Sequence, residues 1–368
     1  MNLIYFALIP NAAGSAIVLE RGDAGWALPA FRFAEPHFWQ DVAPLNAAIQ
    51  ARFDLAAWTL RCLTVVDDDA AAQARFYYLH ELQPGAADSG NDQVSWIDLD
   101  QLDELPFALA EQRGIIGAWR AGRHAPPGPD AVPWYRPGWS AAASAWIAEQ
   151  LSAHGLLNPA IAQRRSWGRS AIWLADSPAG RFYFKAVPAM FAHEVALAVA
   201  FPEFVAPALA VDQDRGWLLM RSAGTQQLSS IVGLDPWIAA IKRYAAIQLA
   251  LVPQAERLLA LGLPDQRVAA LEASLDALIS ESSLRAAGLN LAETANLLAR
   301  KAELAALLGE LAALPIPATI EHGDFWPGQI VLNPGPATVI DWSDSSLSHP
   351  FFSLHMFMAR LADHLPGV

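Results

Sequence analysis

Two acids framed by short apolar runs constrain this chain more than any other feature. His322-Gly323-Asp324-Phe325-Trp326-Pro327-Gly328-Gln329 leads into Ile330-Val331-Leu332. The turn-rich Asn333-Pro334-Gly335-Pro336 follows, then Ala337-Thr338-Val339-Ile340, and the stretch ends on Asp341-Trp342. Apolar runs separated by such a cluster read as strand, tight turn and strand. A hairpin returns its two ends to one place. Asp324, just before the first strand, and Asp341, just after the second, are therefore expected to be neighbours. Two carboxylates at a hairpin mouth suit phosphoryl transfer, one orienting a hydroxyl and the other holding magnesium. The plainer alternative is a hairpin whose acids are incidental.

Residues upstream supply what such a site needs. Arg181-Phe182-Tyr183-Phe184-Lys185-Ala186-Val187 alternates as a strand, with Lys185 near its end. Glu194 follows in a stretch of helical character, 190–197. Taken singly, both are ordinary surface charges. Ser166-Trp167-Gly168-Arg169-Ser170 separates polar Gln163-Arg164-Arg165 from the strand-like Ala171–Ala175, with one glycine and no GxGxxG. Its backbone amides are candidates for a phosphate nest. Gly216–Gly224 reads as a buried strand running into a glycine-ended connector.

The segments HGDFWPGQ and IDW resemble the catalytic and metal-binding segments of aminoglycoside phosphotransferases and related small-molecule kinases. That resemblance implies an α+β, two-lobed protein-kinase-like fold, with ATP or GTP as co-substrate and Mg2+ as cofactor. It assigns Asp324 as the base and Asp341 as the magnesium ligand. Gln329 becomes a second, weaker metal ligand where the family usually has Asn. Lys185 is then phosphate-binding and Glu194 its ion-pair partner. Gly168 belongs to the nucleotide-covering turn, and backbone groups around Arg221 and Ala223 to the adenine hinge. His322 is expected to fix the catalytic loop by hydrogen bonds, with Trp326 and Trp342 as core or wall residues. The later segment His349–Leu354 is similar to one that often ends in Asp-Leu. Ser353 stands in the acid's place, so a buttressing contact is expected to be missing. Protein-kinase chemistry is disfavoured, because no Arg precedes the catalytic Asp and no DFG or APE segment is visible.

The rest of the chain divides around this half. From Asp235 to about Leu314, Ala, Leu, Glu and Arg dominate, and the run Glu293–Leu308 has helical spacing, as for a mainly helical C-lobe over 225–368. The N-lobe is expected over 139–224, opening with a helix from about Ser140 to Ala153. Residues 125–138 form a Pro-rich linker, expected to be semi-rigid. Residues 1–124 form a separate mixed α/β domain, with strands near Leu3–Leu8, Ser15–Glu20, Arg61–Val66 and Arg75–Leu82. Helices are expected at Asp41–Phe53 and Phe107–Ala121. Its layout resembles a Nudix hydrolase. Where that family's helix carries glutamates, this chain has Ala48, Ala51 and Arg52. Without carboxylates there is no hard-cation site, so the resemblance implies a Nudix-like shell without hydrolysis, serving regulation or interaction. An unrelated α/β domain is the alternative.

Net charge is −13, with 8 Lys+Arg against 17 Asp+Glu in residues 1–130. This argues against nucleic-acid binding, which needs a basic face. It is compatible with a cationic partner for the front domain, and equally with ordinary solubility; a protein partner or dimer contact through that domain is expected. The single cysteine, Cys62, rules out an intrachain disulfide and fits a reducing cytoplasm. Pro10, Asn11 and Gly14 interrupt the apolar start, and no uninterrupted run is long enough to span a membrane. The end at Val368 comes soon after His349-Pro350, so a short or truncated C-lobe is expected. Two functions stay in view: a kinase acting on a small-molecule hydroxyl, and a kinase-like nucleotide-binding or regulatory protein without turnover.

Overall fold

The computed structural model describes residues 2–35, 37–69, 71–86, 91, 94–125, 128, 131–333 and 337–364. Contacts divide the chain into two compact units. The first is 1–188 with 214–219, and the second is 189–213 with 220–368. The front α/β segment and the strands expected for the N-lobe thus fall in one unit. Four residues of the Pro-rich segment, Pro126, Pro127, Pro129 and Asp130, lie outside the described residues.

The first unit begins with β1 (Asn2–Leu8), β2 (Ala16–Gly22), β3 (Gly25–Ala27) and β4 (Ala30–Phe31). Then come α1 (Ala43–Phe53), β5 (Ala57–Asp68), β6 (Gln73–Leu82), β7 (Ser95–Asp98) and α2 (Ala110–Gly122). It continues with α3 (Trp139–Ala153), β8 (Ala160–Trp167), β9 (Ser170–Ser177) and β10 (Gly180–Ala186). The front sheet has the order β4-β1-β6-β5, with β1 parallel to β6. From Leu3 onward β1 is apolar, and from Ile4 it is buried on both faces, as is usual for a strand in a parallel pair. Ile4, Phe6 and Leu8 pack in a cluster with Ile116 of α2, whereas Tyr5, Ala7 and Ile9 pack with Leu45, Ile49 and Phe53 of α1. The turn after β1 is tied by Asn11, whose Oδ1 accepts the N–H groups of Ser15 and Ala16. β5 is longer than the sequence suggests, because it pairs with β6 through two register shifts. Cys62 is half-buried there, and burial pushes its thiol up to about 11.

β8, β9 and β10 form an antiparallel meander. The strand expected at Ala171–Ala175 is β9, and the polar Gln163-Arg164-Arg165 before it lies inside a further strand, β8, that its composition did not indicate. Trp139 and Trp146 of α3 pack edge-on against Trp217, and Trp146 also meets Phe184 of β10 edge-on.

The second unit comprises α4 (Ala192–Ala200), β11 (Ala208–Asp212), the end of β12 (Trp217–Arg221), β13 (Gln226–Gln227), α5 (Leu234–Leu251) and α6 (Ala255–Ala260). Further on come β14 (Asp265–Gln266), α7 (Val268–Leu278), α8 (Glu281–Ala286), α9 (Leu291–Ala299) and α10 (Lys301–Ala312). It ends with β15 (Thr319–Glu321), β16 (Ile330–Leu332), β17 (Thr338–Val339), β18 (Ser346–Ser348) and α11 (Leu354–His364). Its core joins α5 (Trp237, Tyr244, Ile247, Leu251) to Phe325, Ile330, Val339 and Trp342. The run with helical spacing, Glu293–Leu308, is helical in two pieces: Arg300 ends α9 and caps α10. Asn290 and Glu293 form a reciprocal capping box that opens α9 before the apolar run. Among the described residues no helix is long and apolar enough to cross a membrane.

Candidate active site

The hairpin is present. β16 and β17 pair antiparallel, Ile330 with Val339 and Val331 with Thr338, and the Ile340 N–H closes onto the Gln329 carbonyl at 2.9 Å. The turn residues Pro334, Gly335 and Pro336 lie outside the described residues. At the mouth, one side chain joins the two acids. Gln329 Nε2 donates to Asp324 Oδ2 at 2.9 Å and to Asp341 Oδ2 at 3.3 Å. The two amide hydrogens suffice for the two anions. Asp324, Gln329 and Asp341 are all half-buried, so the pair meets solvent on one side.

Each acid is held in place by its surroundings. Asp341 adopts a left-handed conformation, φ 63° and ψ 65°, which costs a non-glycine residue energy and persists where neighbours over-determine it. Ser343 Oγ donates to Asp341 Oδ1 at 2.7 Å. α4 clamps the next two residues. Glu194 Oε1 accepts the Trp342 N–H at 3.2 Å, and His193 Nε2 lies 2.9 Å from the Ser343 carbonyl. A carbonyl only accepts, so that ring nitrogen carries the proton.

Asp324 is set by His322. The Asp324 N–H donates to His322 Nδ1 at 3.3 Å, and His322 Nε2 lies 2.9 Å from the Ile340 carbonyl. These two bonds need the neutral ring with its proton on Nε2. Burial lowers the His322 pKa and favours that same form. Gly323 precedes Asp324 with φ 79°, and a Cβ there would stand 2.2 Å from the Asp344 carbonyl oxygen. Only glycine allows the loop to pass so close.

Beneath the loop lies Glu321, buried and surrounded by donors. Its Oε2 accepts the Gly323 N–H at 2.8 Å, and its Oε1 accepts Tyr244 Oη at 3.2 Å and the Ser353 N–H at 3.0 Å. The Ser353 hydroxyl also donates to Oε1. Tyr244 Oη in turn accepts the His322 N–H at 3.0 Å. The buttress expected to be missing at Ser353 is therefore made with reversed roles. Glu321 brings the acid and Ser353 the donors. Sequence reasoning missed Glu321, Tyr244, His193 and Ser343. An acid inside the apolar strand Thr319-Ile320-Glu321 was the available signal for the first.

The remaining candidates stand as follows. Lys185 is buried at the end of β10, in the first unit. Gly168, also in that unit, lies in the two-residue turn closed by the Trp167–Ser170 pair. Arg221 ends β12, and its N–H is committed to the Pro207 carbonyl at 3.1 Å. Ala223 follows in the connector, where a Cβ on Gly224 would meet the Leu332 carbonyl oxygen at 2.3 Å.

Comparison with known proteins decides the family. The model of the phosphotransferase enzyme family (APH) matches residues 175–366, just over half of the chain. The chain belongs to the phosphotransferase enzyme family. The α+β, protein-kinase-like fold expected from the motifs is the fold of this phosphotransferase. Among solved structures, it is similar to the choline kinase LicA from Streptococcus pneumoniae at 14% identity, over 61% of this chain and 81% of that one, with a TM-score of 0.40. A choline kinase from Cryptosporidium parvum Iowa II matches at 11% identity, over 57% and 66%, with a TM-score of 0.42. A NUDIX hydrolase from Nitrosomonas europaea matches at 14% identity, over 33% of this chain and 89% of that one, with a TM-score of 0.26. None is close enough to carry an argument about this phosphotransferase. No curated protein matches the sequence.

Proposed function

We propose that this phosphotransferase moves the γ-phosphate of ATP or GTP onto a hydroxyl of a small molecule. The observation that carries the reading is the carboxylate pair, Asp324 and Asp341, joined by Gln329 at the hairpin mouth. Asp324 orients the acceptor hydroxyl and takes its proton, with its backbone set by neutral His322. Lys185 neutralises the nucleotide phosphates, the Gly168 turn covers them, and the connector from Arg221 to Ala223 takes the base. Glu194 keeps Asp341 in position through the Trp342 N–H, beside its expected role as partner of Lys185.

The residues fit magnesium. Among those described, no group of three His, Cys, Asp or Glu side chains forms a metal cage. Magnesium is commonly held by one or two carboxylates together with substrate phosphates. Asp341 and the oxygen of the Gln329 amide, not the nitrogen that now donates to the acids, would hold it here, and it would supply charge neutralisation for the nucleotide phosphates. Most of the remaining catalysis is positioning and electrostatics.

The front domain we infer to be a Nudix-like shell without hydrolysis. α1 carries no acid in its first turn and presents Leu45, Ile49 and Phe53 to the core. A second reading, nucleotide binding without turnover, is favoured by Gln329 itself. Its amide already does between the two acids what a cation would do.

The test is magnesium-dependent turnover of ATP and GTP with a panel of hydroxyl acceptors, comparing wild type with Asp324→Asn and Asp341→Ala. Asp324→Asn is expected to bind nucleotide normally and lose on the order of 10³-fold in kcat. Asp341→Ala is expected to lose the magnesium dependence of binding. Tight wild-type binding with no phosphoryl transfer to any acceptor would favour the second reading.

A further inference from the structure

The strand that ends in the Gly168 turn is bound along its length into the front domain, inside one compact unit. Gln163 of β8, which is buried, stands at the centre. Its Oε1 accepts Asn46 Nδ2 and the Thr59 N–H, both at 2.8 Å, and its Nε2 donates to the Thr59 carbonyl at 2.7 Å. Thr59 Oγ1 closes the ring by donating to Asn46 Oδ1 at 2.7 Å. Gln163 thus pairs with both backbone groups of Thr59, at the place where β5 slips register against β6. β8 slips register against β9 at the same side chain, between Gln163 and Arg165. The two irregularities lie at residues joined by these bonds, and the side-chain amide satisfies both backbone groups of Thr59.

The contacts continue toward the turn. The Val42 N–H donates to the Arg164 carbonyl at 3.0 Å, and the Ser166 N–H to the Gln40 carbonyl at 3.1 Å. Arg165 Nε donates to Asp41 Oδ1 at 2.9 Å, and Ser166 Oγ to the Leu60 carbonyl at 2.7 Å. At the turn itself, Trp134 Nε1 donates to the Trp167 carbonyl at 2.7 Å, and Trp39 meets Trp167 edge-on at 6.1 Å. Behind it, Trp58 of β5 packs on Trp173 of β9 at 5.2 Å. A tethered module would not bury polar partners on its neighbour in this way.

We propose that Gln163 is a positioning residue for the β8–β9 turn, through which the front domain sets how tightly this phosphotransferase holds its nucleotide. The proposal rests on the reading of the Gly168 turn as nucleotide-covering. Gln163 touches no substrate. It fixes the strand whose last residues frame the turn. A turn correctly placed in about one molecule in ten weakens binding about tenfold.

The test uses the full chain with Gln163→Leu, which removes all three bonds at similar size, and Gln163→Glu, which keeps the two accepted bonds. Ile17→Val, in the front core away from β8, controls for destabilisation. Deuterium exchange over 166–170 is measured without ligand, together with Kd for magnesium-ATP and magnesium-GTP and the split of KM against kcat. Gln163→Leu is expected to speed exchange at the turn and raise nucleotide Kd and KM on the order of tenfold, with kcat at saturation within about twofold. Gln163→Glu is expected to fall between it and wild type, and Ile17→Val to leave Kd unchanged. Unchanged exchange at the turn in Gln163→Leu, with nucleotide binding intact, overturns the proposal alone. Equal effects on Kd from Ile17→Val and Gln163→Leu overturn it too. A wild-type chain that binds no nucleotide removes the phosphotransfer reading, and the affinity role falls with it.

Discussion

Gln329 serves two neighbours whose charges repel. With its amide in place, Asp324 and Asp341 share one donor group instead of facing each other bare. Gln329→Ala removes that link. The magnesium needed for half-maximal turnover is expected to rise on the order of 10- to 100-fold, as for other residues that tune a metal's ligands. A magnesium titration of initial rates reads it, and an unshifted curve would mean that Gln329 has no part in the metal site. Gly323→Ala should act on stability instead. The left-handed φ and the approach of the Asp344 oxygen to 2.2 Å together should cost about 2 kcal/mol or more, measured by urea unfolding. At this scale the acids were legible because what brings them together is local: one hairpin and its two ends. Glu321 was not. Its role depends on Tyr244 and Ser353, which are 77 and 32 positions away in the chain. No spacing rule connects those residues before the fold is known.

Among the elements, legibility followed how many faces each one buries. β1 reads as a strand because both faces are covered, and α1 because its apolar residues sit on one side. β8 was under-read because Gln163 and Ser166 are buried polar residues whose partners come from the front domain. The stretch around α9 and α10 reads as helical throughout because both halves share the same composition. The break at Arg300 has no glycine or proline to announce it. The capping box was written in the sequence one turn earlier, at Asn290 and Glu293. Asn290→Ala should therefore cost about 1 kcal/mol and speed amide exchange in the first turn of α9, from Leu291 to Thr294. Exchange there that matches wild type would show that packing, not the cap, starts the helix.

At the scale of the whole molecule, composition excluded more than it named. Acidic charge argued against nucleic acid, and the motifs pointed to the family, but no motif names the acceptor. Acid sensitivity is expected of both units. In the first unit, burial pushes the His80 pKa down to about 3; in the second, it lowers His322 and His349. An unfolded chain restores each to about 6.5. Between those values the unfolded chain takes up protons that the native one refuses. The stabilisation is thus complete above pH 6.5 and is lost as pH falls toward the native values. For His80 alone the loss should reach roughly 2 kcal/mol by pH 5. Urea unfolding at pH 7.5 and pH 5.0 measures it. The midpoint should drop at the lower pH, and His80→Leu should remove a large part of the drop. Amide exchange at the same two pH values, corrected for intrinsic rates, should show both units opening more often in acid, because each buries a histidine that water would protonate. A midpoint that does not move between pH 7.5 and 5.0 would mean that these rings already hold their protons in the native state, and the neutral His322 assigned to the catalytic loop would have to be abandoned with them.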